Sequence, residues 1–184
     1  MATTLITAPT SYPVTLEEVK TQLRVETNDD DGEIQSLIAQ ATSYVEKMTG
    51  RALITQTWNL VIDNFDTKIE LPYPPLQSVS SITYQDLDNT TQTLSATNYT
   101  VDTDSEPGRV YQSYGGSYPA VYPDLNSVTV TFVCGYGTAN SVPEVFKQAI
   151  KLHVQWIYDM DKDAKAVLDH LINQEKVNWF AQES

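Results

Sequence analysis

Residues 34–62, IQSLIAQATSYVEKMTGRALITQTWNLVI, change period in mid-stretch, and that change decides the fold. Ile34, Leu37, Ile38, Ala41, Val45 and Met48 recur at the spacing of one helix face, and Gly50 stands where a helix C-cap is expected. Further on, Trp58, Leu60 and Ile62 alternate with Thr57, Asn59 and Val61, the two-residue period of a strand with one buried face. A helical segment hands over to a β segment near residue 55.

Upstream, Thr15-Leu16-Glu17-Glu18 has the form of a capping box, and Leu16, Val19 and Leu23 continue at helical spacing to about Leu23. Asn28-Asp29-Asp30-Asp31-Gly32 breaks that pattern, and its acids suit the positive N-terminal end of the next helix. A helical hairpin over residues 1–54 follows. Downstream, Ile69 and Leu71 flank Glu70 before Pro72-Tyr73-Pro74-Pro75 forbids a ladder. Val79 to Tyr84 and Thr91 to Leu94 bracket Asp86-Leu87-Asp88-Asn89 as a hairpin, and Tyr99 to Asp102 and Arg109 to Gln112 flank Glu106-Pro107-Gly108. Val128, Val130, Phe132 and Cys134 alternate in a last strand. Between these strands, residues 113–124 carry two glycines and two prolines, which exclude a helix and leave a long loop bearing Tyr114, Tyr118 and Tyr122.

From residue 141 the helical period returns. Ser141-Val142-Pro143-Glu144 reads as a capping box with proline in the first turn. Val145, Phe146, Ala149, Ile150, Leu152, Trp156, Ile157 and Met160 cover an arc wide enough to pack on more than one side. Asp159-Met160-Asp161-Lys162-Asp163 marks a break, and a further apolar pattern runs through Ala164, Val167, Leu168, Leu171 and Ile172 towards Trp179 and Phe180. The expected fold class is α+β. Residues 1–54 and 141–184 form a small helical bundle, and residues 55–140 form an inserted, mostly antiparallel β module.

Composition narrows function by exclusion. The 184 residues carry 24 acids against 11 bases, a net charge of −13, which does not suit a broad phosphate-gripping surface or docking on anionic lipid. The excess is −4 over residues 1–54, −7 over 55–140 and −2 over 141–184, so it belongs to no single helix. The lone Cys134 excludes an internal disulfide framework and a thiolate-only zinc site. No apolar stretch is long enough to span a bilayer, and the N-terminus has no secretory pattern, so synthesis in a cytoplasm is expected.

Chemical motifs fail on inspection. With Gly32 at the sixth place of a calcium loop, Thr27 and Ile38 fall where carboxylates belong. Asp159, Asp161 and Asp163 have Ala164 in place of the glycine. His153 and His170 lack metal-ligand spacing, and no Gly-x-Ser-x-Gly elbow accompanies them. Gly135-Tyr136-Gly137 lacks the third glycine of a dinucleotide loop and reads as a turn from sheet to helix. No catalytic, cofactor-binding or metal-binding residue is assigned. A tyrosine-rich β module that binds or hydrolyses carbohydrate is the alternative, disfavoured by the flanking helices and the missing leader.

Several segments, taken in order, resemble the head–tail connector (head-completion adaptor) family of tailed phages and gene-transfer particles, in its longer members with a β insertion. Val14-Thr15-Leu16-Glu17-Glu18-Val19-Lys20 with Leu23-Arg24-Val25 is similar to that family's first helix and loop. Ile34 through Glu46, with Met48-Thr49-Gly50-Arg51-Ala52-Leu53-Ile54, resembles its second helix and exit. Gln56-Thr57-Trp58, Leu71-Pro72 and Pro74-Pro75-Leu76-Gln77-Ser78-Val79 look like the start of its β insertion. Phe132-Val133-Cys134-Gly135-Tyr136-Gly137, Val142-Pro143 and Ala149-Ile150 complete a resemblance over about residues 12–160.

The resemblance implies a structural virion protein of the neck, with no catalysis and no cofactor. It implies a ring, of twelve copies in the virion, under the portal protein at the DNA exit. Such a ring lengthens the DNA channel and offers a docking face to a downstream stopper or tail protein. A tail-completion protein elsewhere in the particle is the neighbouring alternative. An acidic channel wall would repel the DNA backbone and let it pass without specific binding. Two contact surfaces are expected. Leu168, Leu171, Ile172, Trp179 and Phe180 either meet the portal or a neighbouring subunit, or fold back on the first two helices. If they face outward, a chain ending at Asp163 still folds. The loop with Tyr114, Tyr118 and Tyr122 either touches a neighbour or downstream protein, or forms a local aromatic cluster.

Overall fold

The computed structural model describes residues 1–177, which divide into two compact units, a β unit of residues 1–8 and 55–135 and a helical unit made of the rest. The fold is α+β.

The helical unit contains α1 (Leu16–Leu23), α2 (Asp31–Thr49), α3 (Glu144–Asp159) and α4 (Lys162–Glu175). The capping box at α1 forms as expected: Thr15 N donates to Glu18 Oε2 at 2.6 Å, and Glu18 N donates to Thr15 Oγ1 at 3.2 Å. Gly50 ends α2 at φ 73°, a left-handed conformation that costs glycine nothing. The break after α3 falls at Met160, φ 54°, and Asp161 caps α4 by accepting from the amides of Asp163 and Ala164 at 2.9 and 3.1 Å. The start of α3 differs from expectation. Pro143 is its N-cap, with no side-chain cap, and Ser141 closes a short 3-10 turn instead. Proline's fixed φ sets the helix entry without a hydroxyl.

One apolar interior is shared by all four helices: Val19 from α1, Ile34 and Val45 from α2, Phe146 and Ile150 from α3, Leu168 and Ile172 from α4. Each such side chain contributes about 1.5–3 kcal/mol on burial.

The β unit holds β1 (Ala2–Thr7), β2 (Gln56–Ile62), β3 (Lys68–Glu70), β4 (Leu76–Gln85), β5 (Thr91–Thr93), β6 (Tyr99–Asp102), β7 (Arg109–Gln112) and β8 (Val128–Cys134). Five strands form one sheet in the order β1-β2-β8-β4-β5, three form another in the order β3-β7-β6, and every pairing is antiparallel. The alternation of β8 is complete, with Val128, Val130, Phe132 and Cys134 buried between half-exposed Thr129, Thr131 and Val133. Gly108, at the turn from β6 to β7, lies so close to Leu76 of β4 that any side chain there would run into it.

Residues 1–54 are not wholly helical, as the sequence reading had them. Ala2–Thr7 is a strand paired with β2, Thr3 opposite Leu60 and Leu5 opposite Trp58. Tyr73 secures it, its hydroxyl 3.1 Å from Thr3 Oγ1 and its ring 4.4 Å from Trp58. The unit boundary after the last strand also falls earlier, between Gly135 and Tyr136.

Candidate functional site

The acidic turn before α2 is built as a structural joint. Lys20, only 5% exposed, donates from Nζ to Asp31 Oδ1 at 2.7 Å and to Asn28 Oδ1 at 2.8 Å. Asp30 Oδ2 accepts from the Tyr158 hydroxyl at 2.7 Å, a bond that, as its main cause, pushes that phenol up to about 12. Among the described residues no group of acids, histidines or cysteines is arranged to hold a metal ion.

The two histidines part company. His153 is 3% exposed, its ring 4.6 Å from Tyr44 and 5.4 Å from Trp156, with no hydrogen-bond partner for Nδ1 among the described residues. Burial holds its pKa below the ordinary histidine value, so the ring is a neutral packing element. His170 is exposed on α4 and lies 3.0 Å from the Gln174 amide.

The surface stripe expected on α4 divides in two. Leu168 is 0% and Ile172 2% exposed, both inside the helical unit's interior, and a side chain buried in its own subunit offers nothing to a partner. Leu171 packs on the same interior but keeps partial exposure, while Val167 beside it is exposed. Trp179 and Phe180 lie outside the described residues. A chain ending at Asp163 would lose Ala164, Leu168 and Ile172 from the interior, so it is not expected to stay folded. The reason is geometric: α4 reverses direction at Met160 and lays its apolar face back on α2 and α3.

The three loop tyrosines also separate. Tyr118 stacks on Phe65 at 4.6 Å and 18°, and its hydroxyl is buried with no hydrogen-bond partner among the described residues. Tyr122 is half-buried, its amide donating to Gln85 O at 2.9 Å. Tyr114 is fully exposed.

Sequence reading did not foresee how the loops of the β unit gather at one end of the five-stranded sheet. Gln85 N donates to Ser127 O at 2.9 Å, and Asn126 N donates to Asp63 Oδ1 at 2.8 Å. The segment after β2, the turn after β4 and the segment before β8 thereby meet. They bring together Asp63, Asp66, Asp86, Asp88 and Asp124, with Leu87 and Leu125 exposed among them. A cleft of about 580 Å³ lies there between Asp63 and Asn64 on one side and residues 120–125 on the other. The hairpin turns in sequence located each acid singly. Only the sheet order reveals that they share an end.

The matching family model is that of the phage gp6-like head-tail connector protein, and it covers residues 13–107, more than half of the chain. The chain belongs to this connector family. No curated protein matches the connector in sequence. Among solved structures, its fold is similar to a chain from the neck of an empty gene transfer agent particle computed with C6 symmetry. That likeness has a TM-score of 0.79 at 21% identity, over 97% of this chain and 96% of the other. A chain from the neck of the native particle computed with C12 symmetry gives 0.77 at 20% identity, over 97% and 96%. A chain from the virion of the native particle gives 0.76 at 21% identity, with the same coverage. The connector thus shares a fold with these neck chains along nearly its whole length.

Proposed function

We propose that this connector is a non-catalytic structural protein of the particle neck. It assembles there as a ring, of twelve copies in the complete particle, between the portal and the next head-completion or tail protein. The observation that carries this reading is the pairing of family membership with a fold matched end to end by chains from a neck computed with C6 and C12 symmetry.

On this reading the helical unit forms the ring wall, and the loop end of the β unit reaches the downstream protein. Tyr114, Leu87 and Leu125 are the exposed apolar side chains available for that contact. The C-terminal segment faces the portal through Leu171 and the residues beyond the described ones, Trp179 and Phe180. DNA moves through the channel past acidic rather than basic ground. Nine acids against two bases in residues 55–140 favour repulsion of phosphate over its capture.

Light scattering of the purified chain, alone and mixed with the portal ring, tests the proposal. The expected result is a defined closed assembly on the portal. A chain that stays monomeric and passes the portal unbound sinks it.

A further inference from the structure

The five strands of the larger sheet comprise 33 residues and contain no charged side chain. At the chain's overall 19% charged content, about six would be expected there. Every acid and base of the β unit lies in a turn or on the three-stranded sheet. The inward face of the larger sheet is apolar and needs no charge. Its outward face is the informative one.

Register defines that face, because residues directly opposite across an antiparallel pair point the same way. Asn59 of β2 stands opposite Thr131 of β8, and Thr131 opposite Ser81 of β4. Thr129 stands opposite Thr83 in the next row. Thr57 begins the third row. These six positions are partly exposed, yet they carry only hydroxyls, an amide and methyl groups. Thr131 Oγ1 donates to Asn59 Oδ1 at 2.8 Å, so the two central polar groups satisfy each other across the strands. The edges are as bare. Neither β1 nor β5 carries the lysine or proline with which proteins commonly discourage edge pairing.

We propose that the outward face of the five-stranded sheet is the surface on which a second copy of this chain packs. The proposal rests on the ring reading above and names one of the two patches that close the ring. Charge selects the occupant. Each copy carries −13, so two copies meet at least cost where no charge is trapped between them. DNA finds no cation here, and a basic protein would be drawn to the acidic loop end instead. Charge depletion is also the compositional mark of an interface core. Three rows about 7 Å apart over three strands about 4.8 Å apart make a patch of roughly 300 Å², the centre of an interface that needs about 800 Å² per partner. Cyclic symmetry makes the contact heterologous, so the opposing patch on the neighbour is a different one.

The test places a carboxylate in the face at two separate strands, Thr131→Glu and Thr83→Glu, in the full chain. Thr103→Glu, at an exposed position in the turn after β6, is the control, and Thr131→Val is the uncharged replacement. Assembly is followed by sedimentation velocity against concentration, alone and on the portal ring, with thermal melts to verify folding. The expected result is a loss of about 100-fold in subunit affinity for both carboxylate variants at unchanged melting temperature, with Thr103→Glu and Thr131→Val assembling as the wild type does. Two carboxylate variants that fold and assemble like the wild type overturn the face assignment and leave the ring reading standing. A wild-type chain that never self-associates, with or without the portal, overturns both.

Discussion

The two units use charge in opposite ways. In the helical unit charged groups are built into the architecture: Lys20 is buried between Asn28 and Asp31, Asp30 holds Tyr158, and Glu18 and Asp161 close helix starts. In the β unit the main sheet has none, and its salt bridges sit on the smaller one, Asp102 with Arg109 and Lys68 with Glu70. A helix that buries one stripe still offers solvent positions in every turn, so charges are easily placed along it. A strand offers every second residue to one face, and filling those positions with threonine instead of lysine or glutamate is a choice of sequence, not a demand of geometry. The difference teaches that absent charge, like present charge, is a readable feature.

The sharpest way to break the comparison is to open one interior and watch the other. Leu168→Ala, at a fully buried position, should destabilise the helical unit by about 2–5 kcal/mol in denaturant titration. Amide exchange in β8 of the same variant should stay at its wild-type rate. Equal loss of protection in both units would show that they unfold as one.

Acid should separate the units next. The neutral form of His153 is favoured by folding, since burial lowers its pKa from the ordinary 6.5. The unfolded chain therefore binds the extra proton first, and the helical unit loses stability as pH falls from 6.5 towards the folded value. Asp102 behaves at lower pH. Its hydrogen bond from Arg109 above all, then from Ser105, lowers its pKa from 3.8 to about 2, so its contribution to the β6–β7 hairpin is lost only between those values. Melting followed at pH 5 should thus show a weakened helical unit beside an unchanged β unit. His153→Phe, which keeps a ring between Tyr44 and Trp156, should flatten the pH dependence.

Two smaller effects sharpen the picture. Thr15→Ala removes the side-chain half of the capping box, the bond that Glu18 N donates to Thr15 Oγ1, and should cost the helical unit about 1 kcal/mol, read from the denaturation midpoint. Tyr118→Phe should be nearly neutral, within about 0.5 kcal/mol, because the hydroxyl it removes is buried and has no hydrogen-bond partner among the described residues. A clear loss of stability there would mean that the hydroxyl has a partner.

Much of this architecture was legible in order along the chain. The box at Thr15 and Glu18, the stripe from Ile34 to Met48, the stop at Gly50 and the alternation of Val128 to Cys134 are all local patterns, and each element formed where its period placed it. Ser141 misled because a serine three places before a glutamate also fits a 3-10 turn followed by proline. Residues 2–7 went unread for another reason. A short uncharged run has no period long enough to interpret, and its partner strand lies more than 50 residues away.

The contact surfaces were less legible. Leu168 and Tyr114 look alike in sequence, as large apolar side chains without an obvious local partner. One is buried and the other fully exposed. Leu168 is covered because the chain turns back at Met160 and lays α4 on its own unit, whereas Tyr114 stands at the tip of a tight turn, closed by Gly116 N donating to Ser113 O at 2.9 Å, and is left in solvent.

By itself the sequence determined the α+β class, the order of its helices and most of its strands, and the surplus of acids, because periodicity, caps and net charge are properties of neighbouring residues. Only the tertiary structure decided that β1 joins the sheet, that α4 closes the helical interior, and that the acids of three loops share one end. It also decided that Thr57, Asn59, Thr83, Thr129 and Thr131 form one uncharged face. These are pairings between residues far apart in the chain. Local patterns carry no register between distant strands, and register is what turns scattered threonines into a surface.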